Sequence, residues 1–360
     1  MFEKFRNKIK ISCKTALIIT IILAVLIIII SHIDLSVTLT SKPDNAERPN
    51  QPMFIDPIAD MKPGSGSWFI TTNVTAGDQE FGLLTHHIAL PFNNTTTTVA
   101  ITDVTNSKYY ADERKEGKIK ETDEGFEVNS KNLLWTWSAD KKSMSIKGQL
   151  ESGEGSFDLV LIQKGPVLAY SGTGIWPLLD NASPTLEYAF PVMETTGTVT
   201  VNGQTYNVTG NSWYDRQVLS LMEKKLGSEP GNAHWTWLSI SLSNGDVIAV
   251  WDVVGDRERC WANIMQPDGT LTIADVEPLS ENAFEPWVSE KSGITWPSKY
   301  TLKIPGVETE LLVEVTAPGQ ETVLDYNRME GVIHVTGTYK GQEVTGVGYA
   351  EIIGDPQLNK

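Results

Sequence analysis

From Trp68 onward the chain alternates apolar and polar residues in short runs broken by turn residues, with almost no helical periodicity. Asn202-Gly203 separates the runs 198–201 and 204–208, and Asn244-Gly245 separates 235–243 and 246–254. Both are strong signals for two-residue hairpins. Pro267-Asp268-Gly269 and Lys340-Gly341 mark further turns. Residues 217–226 predict one short helix, stopped by Gly227. Regularly spaced strands over this length predict an all-β protein built of barrels or sandwiches.

The amino-terminal region follows a different pattern. Lys4, Arg6, Lys8, Lys10 and Lys14 precede an unbroken apolar run from Ala16 to Ile30. With its flanks this run offers about 18 residues, enough for one membrane-spanning helix. Basic residues before it place the amino terminus in the cytoplasm and the remainder outside. Ser31-His32-Ile33-Asp34 is a poor cleavage site, which favours an uncleaved anchor over a signal peptide. Pro43, Pro49, Pro52, Pro57 and Pro63 then mark a stalk. The expected order is a basic tail (1–14), a transmembrane anchor (15–33) and a stalk (34–63), followed by about 300 residues of β-structure, enough for two domains or one large one.

Composition narrows the function. The formal net charge is −16, and beyond the amino terminus no basic cluster remains to bind nucleic acid. Only Cys13 and Cys260 are present, so the exported part has no intramolecular disulfide and no cysteine metal site. Asn73, Asn93, Asn94, Asn181 and Asn207 each begin an Asn-x-Ser/Thr triplet, in keeping with a surface outside the cell.

The richest chemistry lies in Gly-Asn-Ser-Trp-Tyr-Asp-Arg-Gln at 210–217. On a strand, Trp213, Asp215 and Gln217 project to one side, and Tyr214 and Arg216 to the other. A carboxyl beside an indole wall loses water and holds its proton more tightly. Asp215 is therefore a candidate general acid; the competing reading is an acid that bonds a turn or pairs with Arg216. In the 235–254 hairpin a two-residue turn pairs Trp237 with Asp252. Trp235, Trp237 and Asp252 then share a face suited to a ligand, or to ordinary aromatic packing. Asp252 becomes a candidate second acid or base, and Gln217 or Tyr214 a candidate to position water. His86 shares the Leu84/Ile88/Leu90 side of its strand, as a buried neutral histidine or as a pocket acid or base. His86 and His87 face opposite ways and His234 and His334 stand apart, so neither a metal nor another cofactor is expected. A Gly-x-Ser-x-Gly elbow is absent, which argues against a serine hydrolase.

Gly210–Gln217 resembles the Gly-x-x-Trp-x-Asp-(His/Arg)-(Gln/Glu) signature of the lipocalin-like carotenoid 1,2-hydratase family, also called AttH-like or hydroxyneurosporene synthase-like. The segment 235–242, with Asn244-Gly245-Asp246, is similar to the family's next block. Thr295-Trp296 with residues 300–305, and residues 331–351 ending in Gly-Tyr-Ala-Glu, are similar to its later blocks. Gly66-Ser67-Trp68-Phe69 resembles the entry motif Glu-Trp-Trp-Tyr without its leading Glu-Trp. The resemblance implies two lipocalin-like halves, 64–208 and 209–355, sharing one pocket, with Trp68 as a further ligand contact. Such families include hydratases of isoprenoid double bonds, and hydratases or pericyclases of bulky apolar natural products.

Two functions follow. One is a lyase or isomerase acting on an apolar, isoprenoid-like ligand, with Asp215 as acid against Trp213, Trp235 and Trp237. The other is a binding module that carries such a ligand unchanged. Both place the protein on the cell membrane with its carboxyl-terminal part outside, or secreted if the anchor is removed.

Overall fold

The computed structural model describes residues 47–49, 66–90, 94–122, 125–138, 142–177, 184–218, 234–254, 259–324, 327–354 and 356. The expected tail and anchor, most of the stalk, and residues 219–226 of the expected helix lie outside these. Among the described residues no helix is long and apolar enough to cross a membrane. The described chain is all-β, in two large curled antiparallel sheets and a two-stranded ribbon, Trp287–Val288 with Thr295–Trp296.

The N-terminal sheet runs, strand beside strand, through Lys108–Arg114, Asn94–Asp103, Gln79–Leu90, Gly66–Ala76, Gln204–Val218, Pro184–Val201, Gly155–Gln163, Ser143–Gln149, Leu133–Trp137, Gly125–Asn129 and Lys118–Thr122. The C-terminal sheet runs through Thr270–Asp275, Arg259–Met265, Val247–Val254, His234–Leu242, Gln342–Ile353, Arg328–Tyr339, Thr309–Val315 and Lys299–Ile304. Three stalk residues, Glu47–Pro49, pair with Thr270–Thr272 as an edge strand, where the expectation was irregular chain.

The boundary expected at 208/209 needs correction. Gln204–Val218 is one strand, paired with Pro184–Val201 on one side and Gly66–Ala76 on the other. The 210–217 motif therefore belongs to the N-terminal half, and the crossing to the C-terminal half comes after Val218.

Burial explains how the halves join. Strand Gly155–Gln163 buries alternate residues, as expected for a sheet with one wet face. Val247–Val254 buries nearly every residue, and so does the middle of Gly66–Ala76. These strands pack one face on their own half and the other on the opposite half. The near-continuous apolar run of Val247–Val254 is the sequence trace of that double burial, while in Gly66–Ala76 the buried middle includes Thr71 and Thr72. The N-terminal half has a core around Trp135, Trp137, Phe190 and Tyr214; the C-terminal half has one around Leu238, Ile240, Ile333 and Leu311. A third cluster, including Phe69, Trp213, Trp237 and Tyr349, lies between them. Gly82 permits this approach, because a Cβ there would overlap Val332 of the opposite half.

The two Asn-Gly turns fold differently. Asn202-Gly203 is the expected two-residue turn, with Val201 opposite Gln204 and φ of 50° and 80°. At Asn244-Gly245 the loop closes one residue earlier: Gly245 N–H donates to Leu242 O, Leu242 N–H donates to Asp246 O, and Gly245 takes a φ of 92°. Such a three-residue loop with a left-handed glycine shifts the register by one. Trp237 then pairs with Trp251 rather than Asp252, and one strand's side chains change faces.

Candidate active site between the two halves

Strand alternation places Trp213 and Asp215 toward the C-terminal half, while Tyr214 and Arg216 point into the N-terminal half. A bulge sits beside this stretch. Between Phe190/Tyr214 and Met193/Ser212 the partner strand holds one extra residue, and Asn211 Nδ2 donates to Pro191 O at 2.9 Å. Bulges of this kind bend a strand and re-aim its side chains.

Asp215 is only 6% exposed. Its Oδ2 accepts the hydroxyl of Tyr170 at 2.7 Å, and Tyr170 Oη accepts the indole N–H of Trp237 at 3.1 Å. Oδ1 has no hydrogen-bond partner among the described residues. Burial is the main force raising the Asp215 pKa, to about 7; the Tyr170 hydroxyl and the nearby Trp213 indole oppose it, and the Glu351 charge adds to it. Trp213 and Phe69 each set an edge-on ring against Trp237.

Three further buried carboxyls share this interface. Glu187, opposite Gln217, accepts the Trp176 indole N–H at 2.7 Å and interacts with the Gln217 side chain. Burial first, and the Asp215 charge second, push Glu187 well above the carboxylate range. Glu351 accepts the Trp235 indole N–H at 3.0 Å. Burial, then the charge of Glu330, raises Glu351 to about 7. Glu330 goes the other way. Burial alone would raise it, but the Arg328 guanidinium and the hydrogen bond from His86 outweigh burial and hold it below its ordinary value.

Arg328 anchors that end of the row. It pairs with Glu113 at 2.7 Å, donates to Thr98 at 3.2 Å and lies 3.9 Å from Glu330. His86 Nδ1 lies 3.2 Å from Glu330 and 3.3 Å from Arg328, and its Nε2 lies 2.7 Å from Ser67 Oγ. Burial keeps His86 below its ordinary pKa and hence neutral. Ligand atoms of His86, Glu330 and Glu351 all lie within 4.8 Å of one another, the one grouping among the described residues able to hold a metal. The guanidinium beside His86 and Glu330 already supplies positive charge at that corner, so the donor set fits an ion pair better than a divalent cation.

The candidate residues thus separate. Asp215, Gln217, Trp213, Trp235, Trp237 and His86 come together between the halves. Three others do not. Tyr214 is buried in the N-terminal core against Trp135, Trp137 and Phe190. Trp68 faces the same core, with the Arg216 guanidinium 3.9 Å from its ring centre, so Phe69 takes the interface position instead. Asp252, turned inward by the register shift, accepts backbone N–H groups of Leu279 at 2.7 Å and Ser280 at 3.3 Å.

Sequence reasoning missed Tyr170, Glu187, Glu330 and Glu351. Tyr170 stands on a tight bend in which Ser171, Gly172 and Gly174 all have positive φ. The run of Ser-Gly-Thr-Gly after an aromatic was its only local sign. Glu187 and Glu351 each stand among apolar residues on a strand, which is a readable anomaly.

The model of the AttH-like family matches residues 91–355. No curated protein matches the sequence. Among solved structures, kievitone hydratase from Nectria haematococca superposes with a TM-score of 0.70 at 20% identity, covering 87% of this chain and 97% of that one. A protein described as AttH from Nitrosomonas europaea gives 0.69 at 18% identity, covering 86% and 99%. CghA in complex with Sch210972 gives 0.56 at 12%, covering 85% and 94%. At these identities the likeness concerns the fold.

Proposed function

Since the chain belongs to the AttH-like family, we propose that it is a hydratase-like enzyme that adds water across a carbon–carbon double bond of an apolar ligand held between its halves. One observation carries this reading: a buried aspartate with one oxygen held by Tyr170 and the other unpartnered, among indoles, with its pKa raised to about 7. The hydratase among the structural neighbours supports it.

Asp215 gives its proton to one alkene carbon, and the π electron pair forms the new C–H bond. The positive charge left on the other carbon is stabilised by the electron-rich indoles beside Asp215, Trp213 and Trp237. Water forms the C–O bond and loses its surplus proton to the Asp215 carboxylate. The net change is H and OH added across the double bond, with the acid restored. Loss of a neighbouring proton instead of water capture gives isomerisation by the same steps. On this reading the domain stands outside the cytoplasm on its amino-terminal anchor, in keeping with the basic residues before the apolar run.

The test uses Asp215→Asn and heavy-oxygen water. Incorporation of heavy oxygen into an isoprenoid alkene by the wild-type protein, falling about 10²–10⁴-fold in the variant while binding persists, is the expected result. Equal turnover in both proteins would reduce Asp215 to a structural acid. Binding without turnover in either would favour a carrier.

A further inference from the structure

The wall of the C-terminal sheet that faces the N-terminal half carries hydrogen-bond donors without acceptors. Trp251 and Trp261 are register partners on adjacent strands, and Asn263 lies two residues along on the same side. They are 4%, 3% and 0% exposed. Nε1 of Trp251, Nε1 of Trp261 and Nδ2 of Asn263 have no partner among the described residues. Asn263 uses its Oδ1 to accept the backbone N–H of Ser171 at 2.8 Å, so its amide is fixed with the NH₂ end left over. Around them are Trp176, which packs on both indoles, and the apolar side chains of Met265, Leu271 and Ile273. A buried donor without a partner costs about 1–3 kcal/mol, and three on one wall call for a ligand that supplies acceptors.

This wall is continuous with the carboxyl site. Tyr170 bonds Asp215, and the next residue, Ser171, bonds Asn263. A ligand that puts a double bond at Asp215 therefore has its far end near Trp251, Trp261 and Asn263.

We infer that the ligand is not a pure hydrocarbon but an apolar compound carrying acceptor oxygen, of the ketone, lactone or ether class, docked against Trp251, Trp261 and Asn263. The inference rests on the reading that the ligand occupies the space between the halves. All three unpartnered groups are donors, so an oxygen that only accepts fits better than a hydroxyl, which also needs an acceptor.

The test compares two probes of one shape: farnesylacetone, a ketone, and its analogue with the carbonyl oxygen replaced by a methylidene group. Binding to the full chain is measured by calorimetry, in wild type and in Asp215→Asn. The expected result is a preference for the ketone of about tenfold or more, the equivalent of one satisfied donor. That preference shrinks in Trp251→Phe, Trp261→Phe and Asn263→Leu; three separate substitutions guard against one that fails to fold. Equal affinity for the two probes in wild type, or a preference that survives all three substitutions, overturns the inference. Its failure is distinct from failure of the acid mechanism. Asp215→Asn that keeps the preference upholds the oxygenated ligand whatever its turnover, whereas lost turnover with equal probe affinities spares the acid and removes the ligand class.

Discussion

The two ends of the buried carboxyl row hold the same functional group with proton affinities shifted in opposite directions. At the Glu330 end a guanidinium lies within 3.9 Å, and the carboxyl stays ionised despite complete burial. At the Asp215 end no cation among the described residues forms an ion pair with Asp215 or Glu187, and both acids are pushed upward. Burial is common to the two ends; what differs is first Arg328 and then the hydrogen bond from His86. One interface can therefore store a fixed negative charge and a deliverable proton side by side, by the same logic that separates the two carboxyls of a glycosidase. Asp252 adds a third case: two backbone N–H donors satisfy it and make it a brace.

The largest expected effect comes from removing the cation. Arg328→Met leaves Glu113 and Glu330 without their cation and should cost about 3–5 kcal/mol in chemical denaturation. A loss below about 1 kcal/mol would mean that Arg328 does not set the difference between the ends.

Removing the acid should act in the opposite sense at high pH. The folded protein keeps the Asp215 proton to about 7, while the unfolded chain releases it near the ordinary aspartate value. Stability associated with this proton is complete below about pH 4 and is lost as pH rises through about 7. Asp215→Asn should therefore be more stable than wild type at about pH 8, by up to roughly 4 kcal/mol. Parallel stability–pH curves for the two proteins would contradict this.

Asp252→Ala should lower stability by about 1–3 kcal/mol, because the buried N–H of Leu279 and the part-buried N–H of Ser280 lose their acceptor, and leave turnover unchanged. A matching loss of turnover would return Asp252 to the chemistry. The smallest effect is that of Tyr170→Phe. The Tyr170 hydroxyl favours the ionised form of Asp215, so its removal should move the alkaline limb of the rate profile to higher pH, by less than about one unit. A shift to lower pH would show that Tyr170 stabilises the neutral acid.

The part of this site readable in sequence was the part fixed by local geometry. Alternation along a strand is rigid, so Trp213, Asp215 and Gln217 could be placed on one side without knowing the fold. Asp252 was misplaced because Asn-Gly serves both a two-residue and a three-residue loop, and one residue of slip reverses a face. Trp68 and Phe69 posed a similar choice, since adjacent aromatics on a doubly buried strand give no sign of which core each enters. Arg328 was illegible for another reason: its partner Glu113 lies 215 residues away, on the opposite half. Long-range charge pairing leaves no period in the sequence, whereas the all-β class, spread over every hairpin, leaves many.

Infrared difference spectroscopy reads directly whether Asp215 keeps its proton up to about pH 7. The carbonyl stretch of a protonated carboxylic acid should disappear from the wild-type protein with a midpoint of about 7, and that component should be missing from Asp215→Asn. Identical spectra for the two proteins above about pH 5 would show Asp215 to be an ordinary ionised aspartate.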